Sequence, residues 1–88
     1  MSMSDVNDIA LELTASAREC GMWISGDGRV GEADLAALLG FSSKSLANMR
    51  SAGEAPPSYK LGGQGHRVTY RLTDVAAWIE DKRQNDSI

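Results

Sequence analysis

A mainly α-helical fold with one small β-hairpin is predicted by three observations along the 88-residue chain. An apolar segment over residues 32–39 runs into Leu38-Leu39-Gly40-Phe41. A short cationic stretch follows over residues 42–51. Two alternating segments, Tyr59-Lys60-Leu61 and Val68-Thr69-Tyr70-Arg71-Leu72, then flank a glycine-rich tip. Taken in order these are a helix, a tight turn, a second helix and a hairpin, which is the layout of a winged helix-turn-helix; here an added helix precedes it.

With 42% hydrophobic and 24% charged residues, a chain of this length can bury one modest core, so a single small domain is expected. Residues 1–29 should form an N-terminal helix and a short hairpin or loop packed on the domain. Residues 30–83 should form the winged helix-turn-helix, and residues 84–88 a frayed tail. The lone cysteine, Cys20, has no intramolecular partner for a disulfide. No apolar run approaches the roughly 20 residues that span a bilayer, so no membrane partner is expected. Residues 1–7 lack the basic start and apolar stretch of a secretory leader, and a reducing cytoplasm is the expected setting.

A net charge of −3 argues at first against a polyanionic partner. The average conceals a dipole. Residues 41–72 hold Lys44, Arg50, Lys60, Arg67 and Arg71 against the single acid Glu54, for +4, while the rest of the chain has four bases and eleven acids, for −7. Such segregation would orient the second helix and the hairpin toward a polyanion and turn the remainder away from it.

Over residues 5–19, Val6, Ile9, Ala10, Leu13 and Ala17 recur at spacings of three or four, as one face of an amphipathic helix requires. Asp5 and Asp8 suit its positive end, and Gly21 stands where it should stop. Met22-Trp23-Ile24, Gly26-Asp27-Gly28 and Arg29-Val30 suggest a small hairpin or tight loop that sets Trp23 and Val30 against the core. The run from Gly26 to Gly31 also fits G-x-G-x-x-G. A dinucleotide site needs a crossover helix, a second parallel strand and an acid about 20 residues on, and here that position falls in the second helix of the turn motif, so the glycines are assigned to a turn.

In the helix over residues 32–39, Leu35, Ala36, Leu38 and Leu39 should face inward, with Ala36 small because the second helix crosses above it. Gly40 permits the turn through positive φ, Ser42 caps the second helix, and Leu46 and Met49 anchor it. A period of 3.6 residues then leaves Ser43, Lys44, Ala47, Asn48 and Ser51 on the open face, with Arg50 at its flank. Asn48 suits an adenine edge and Lys44 a guanine or phosphate. Ser43 and Ser51 suit the backbone, and Ala47 a thymine methyl.

In the hairpin, alternation is expected to place Tyr59, Leu61, Val68, Tyr70 and Leu72 on one face and Lys60, Thr69 and Arg71 on the other. Gln64, His66 and Arg67 would line a tip suited to a phosphate backbone or a minor groove. His66 lacks a second histidine or a suitably spaced cysteine, so no metal site is expected. Thr73 is the expected cap of a last helix whose Val75, Trp78 and Ile79 form an apolar stripe, Trp78 closing the core.

Leu35-Ala36-x-x-Leu39-Gly40-Phe41-Ser42, Leu46-x-x-Met49-Arg50, Gly53, Pro56-Pro57, Lys60-Leu61-Gly62-Gly63, Arg67-Val68-x-Tyr70 and Asp74-Val75-x-x-Trp78-Ile79 together resemble the compact winged-helix domain of excisionase and AlpA-type regulators, related to the MerR DNA-binding domain. The resemblance spans roughly residues 30–83. It implies a phage or mobile-element protein in a bacterial or phage-infected cell that binds double-stranded DNA, either regulating a promoter or directing an integrase toward excision. It implies DNA contacts at Ser43, Lys44, Ala47, Asn48 and Arg50 and, in the wing, at Arg67. The chain departs from the family in having Met49 where an aromatic is common and Ala47 and Asn48 where bases are common. The added acidic helix is expected to pack on the domain or to mediate a homodimer, and side-by-side assembly on DNA is a further expectation. Two alternatives are the DNA-recognition domain of a phage terminase small subunit and a winged helix turned to protein contacts. The sequence offers no paired-carboxylate pocket, nucleophile with a histidine partner or metal constellation, so neither enzymatic activity nor a cofactor is expected.

Overall fold

Residues 3–60 and 67–86 are described by the structure, a computed structural model, with side chains over residues 5–60 and 67–83. In chain order the elements are α1 (Met3–Glu19), β1 (Arg29–Gly31), α2 (Glu32–Leu39), α3 (Ser43–Ser51), β2 (Tyr59–Lys60), β3 (Val68–Arg71) and α4 (Leu72–Asp86). The strands form one antiparallel sheet in the order β1-β3-β2. None of the helices, among the described residues, is long and apolar enough to cross a membrane.

The apolar stripe of α1 buries Val6, Ala10 and Ala17 and half-buries Ile9 and Leu13, packing chiefly on α4 through Ala76. A second, larger cluster joins Ala17, Val30, Leu35, Ala36, Leu46, Tyr70, Leu72 and Val75. It places α2, α3 and the sheet around one core, with Leu38 and Leu39 half-buried at its margin.

The turn between α2 and α3 forms as its residues dictate. Gly40 takes the left-handed conformation, φ 81°, and the Phe41 N–H reaches the Ala36 carbonyl at 2.8 Å. The Ser42 hydroxyl accepts from the Ser45 N–H at 3.0 Å and so satisfies one free donor at the start of α3. A Cβ at Gly40 would meet no atom within 4 Å, so a side chain there is opposed by conformation alone. Gly40→Ala is expected to cost about 1–2 kcal/mol in a urea melt. A loss below a few tenths would show that the turn does not depend on positive φ.

Five expectations are corrected. Arg29-Val30 is not one arm of a local hairpin: Arg29–Gly31 forms the edge strand beside β3, with Arg29 opposite Arg71, Val30 opposite Tyr70 and Gly31 opposite Thr69. The glycines before it do make a tight loop, in which the Ser25 N–H reaches the Arg29 carbonyl at 2.9 Å and Gly28 has φ 81°. Val30 is buried as expected, whereas Trp23 is 42% exposed and belongs to no core cluster.

The hairpin faces also differ. Tyr59 lies opposite Thr69 and Lys60 opposite Val68, so Tyr59 shares its face with Thr69 and Arg71, not with Val68 and Tyr70. Alternation assigns faces within one strand, but the phase between two strands is set by the connection joining them. Thr69 is consequently buried, its hydroxyl donating to the Tyr59 carbonyl at 3.1 Å.

Helix α4 begins at Leu72, so Thr73 lies in its first turn and is not its cap. Val75 is core, but Trp78 is half-buried at the edge and donates Nε1–H to the Glu54 carbonyl at 3.2 Å, fastening the segment after α3 instead of closing the core. Leu61, Gln64, His66 and the glycine-rich tip lie outside the described residues.

Candidate nucleic-acid interface

Helix α3 presents the face that its spacing predicts. Leu46 is fully buried against α2 and Met49 is half-buried, which leaves Ser43, Lys44, Asn48 and Ser51 exposed and Ala47 half-buried between them. A helix held by one leucine with a small, polar, unobstructed opposite side has the shape that enters a major groove.

Arg50 occupies a different position from the rest. Its guanidinium donates to the Glu32 carboxylate, Nε to Oε2 at 2.7 Å and Nη2 to Oε1 at 3.3 Å. The buried Tyr70 donates its hydroxyl to the same Oε2 at 2.6 Å. Because Glu32 is the first residue of α2, the triad ties the end of α3 to the start of α2 and to β3, with the carboxylate at a favourable helix terminus. The Arg50 guanidinium holds the Glu32 carboxyl below its ordinary value, and burial followed by the adjacent carboxylate pushes the Tyr70 hydroxyl up. Arg50 thus acts as a strut.

Arg71 is also partnered. Its Nη2 lies 3.6 Å from Asp27 Oδ2 and its guanidinium carbon 5.2 Å from the centre of the Tyr59 ring. Tyr59 in turn donates its hydroxyl to Asp74 at 2.7 Å. Asp27 also accepts from Arg29 Nε at 2.8 Å, and the Ser25 hydroxyl, then Arg29, holds its carboxyl down at about 2.

Of the five bases in the cationic window, then, two are paired with acids that precede it in sequence, Arg50 with Glu32 and Arg71 with Asp27, the second carboxylate being shared with Arg29. Lys44 and Lys60 are exposed, and neither has a carboxylate partner among the described residues. Arg67 likewise has none; its guanidinium carbon lies 4.4 Å from the centre of the Trp23 ring. Arg67 and Arg50 each contact one of two consecutive residues, Gly31 and Glu32. The Arg67 guanidinium lies over Gly31, its Nη2 3.5 Å from where a Cβ would stand, and Arg50 binds Glu32. The base of the wing and the end of α3 therefore flank one junction, between β1 and α2.

Sequence reasoning missed Trp23, Asp27 and Glu32. Their partners stand 44 residues, 44 residues and 18 residues away, at Arg67, Arg71 and Arg50, and no spacing rule links such pairs. Among the described residues, no group of three or more His, Cys, Asp or Glu is placed to hold a metal ion.

A helix ended by a left-handed glycine, a capped second helix seated on it by one leucine, and a sheet beside both define a helix-turn-helix DNA-binding domain. Residues 32–83 match the family model described as a helix-turn-helix domain, and the chain belongs to that family. The match excludes α1, β1 and the segment carrying Trp23. No curated protein and no solved structure matches the chain.

Proposed function

We propose that the chain binds double-stranded DNA with α3 in the major groove and the base of the wing on the adjacent phosphates, acting as a phage or mobile-element transcriptional regulator or excision-directing factor. The observation that carries the reading is the open face of α3, where Asn48 and Lys44 stand exposed opposite the buried Leu46. Asn48 is the residue suited to a bidentate adenine contact, and Lys44, Lys60 and Arg67 are the cations left for phosphates. Arg50 and Arg71, each already held by a carboxylate, shape the surface more than they grip the duplex. The excisionase and AlpA resemblance supports the regulatory role. With so few base-reading side chains on one copy, selectivity comes from DNA shape or from several copies side by side, and an integrase is the partner if the role is excision. In this reading the chain acts by binding and carries out no reaction.

A gel-shift titration against salt tests it. Three free cations predict a slope of log affinity on log salt of roughly −3 for a duplex. Arg67→Ala should reduce that slope by about 1 and weaken all duplexes alike. Asn48→Ala should leave the slope unchanged and relax preference at one base pair by about 1–3 kcal/mol. Affinity indifferent to salt would instead favour a winged helix turned to protein contacts.

A further inference from the structure

We infer that Trp23, in the segment that precedes the helix-turn-helix unit, is a positioning residue of the DNA interface, forming the platform on which Arg67 is held toward a phosphate. The inference rests on the duplex-binding reading above and extends the interface into residues outside the family match.

Two features single out this pair. Trp23 is a large aromatic left 42% exposed, and what lies over its ring is the guanidinium of Arg67, 4.4 Å from the ring centre. Arg67 immediately precedes β3, and its guanidinium also lies across Gly31, where an added Cβ would be only 3.5 Å from Nη2. Tryptophan below and backbone beside it therefore restrict a side chain that would otherwise sample many rotamers. A guanidinium over an aromatic ring keeps its N–H donors, which radiate in its own plane, available to a phosphate, while the ring shields one face from water.

The placement explains why Arg67 differs from the other arginines around it. Arg50 is oriented by Glu32, which cancels its charge, and Arg71, although it also lies near the Tyr59 ring, has Asp27 at 3.6 Å, a carboxylate it shares with Arg29, whereas Arg67 has no carboxylate partner among the described residues. Arg67 is oriented by a neutral ring, which fixes direction and leaves the positive charge uncancelled. A charge meant for a phosphate is best positioned in that way.

The test is a double-mutant cycle on a 20-base-pair duplex at fixed salt, comparing the unaltered chain with Trp23→Ala, Trp23→Phe, Arg67→Ala and the Trp23→Ala/Arg67→Ala pair. Circular dichroism at the assay temperature confirms that each variant is folded. Trp23→Ala is expected to lose about threefold in affinity and Trp23→Phe to retain most of it, in keeping with a cation over a ring. In the Arg67→Ala background the Trp23→Ala change is expected to have no further effect. Losses that multiply, or a Trp23→Ala variant that binds as the unaltered chain does, would overturn the assignment while leaving DNA binding intact. Failure of the unaltered chain to bind any duplex is a separate result, which removes the duplex-binding reading and this inference with it.

Discussion

Leu46→Ala is expected to destabilise the domain by about 2–5 kcal/mol, the range for removing a fully enclosed leucine side chain. Leu46 is 0% exposed and is the single fully buried residue of α3, so the helix has no second anchor of equal depth. For a domain of this size each 1 kcal/mol moves the melting temperature by about 4–8 °C, so thermal unfolding should fall by on the order of 10 °C or more. The same change should abolish selectivity before it abolishes helix content, because α1 and α4 pack on each other through Val6, Ala10 and Ala76 independently of α3. A shift of only a degree or two would mean that α3 is seated by something other than Leu46.

Glu32→Ala is expected to have the next largest effect, about 1.5–3 kcal/mol, the usual loss for hydrogen bonds to a charged group. One carboxylate there serves Arg50 and the buried Tyr70 together, and its removal leaves both donors without that acceptor. The loss should depend on pH. Arg50 depresses the folded-state pKa of Glu32, so the stabilisation is present above the ordinary glutamate value of about 4.3 and disappears as pH falls through the lower, folded value. Asp27, held at about 2, adds a second contribution of the same sign, lost as pH falls toward that value. Urea melts at about pH 6 and pH 3 should therefore show the difference between the unaltered chain and Glu32→Ala shrinking in acid. An unchanged difference would show that the ionised carboxylate is not the stabilising form.

Glu32→Ala has an opposite consequence for DNA. It frees Arg50 from its carboxylate, so the salt slope should steepen by about 1 even as the fold weakens. Weaker folding with stronger non-selective binding would distinguish a strut from a phosphate contact.

The legible and illegible parts divide along the range of the interactions involved. The α2 turn followed from Gly40, the start of α3 from Ser42 and its buried anchor from Leu46, because each works within a few residues of itself. The open face of α3 followed from the same helical period. Trp23 was expected inside and lies outside, since a short apolar triplet carries no information about whether another element will cover it. The hairpin faces were assigned out of phase for a comparable reason: nothing in two alternating segments states how they are offset across a loop.

By itself, then, the sequence determined the order of the four helices and the two strands of the wing, the Gly40 turn, the Ser42 cap and the polar face of α3, all through local backbone preferences and periodicity. Only the tertiary structure decided which cations remain unneutralised. Asp27 and Glu32 reach Arg71 and Arg50 because the β1–β3 pairing and the packing of α2 on α3 bring distant segments within ion-pair distance. Coulomb attraction depends on separation in space, and a count of charges along the chain cannot supply that distance.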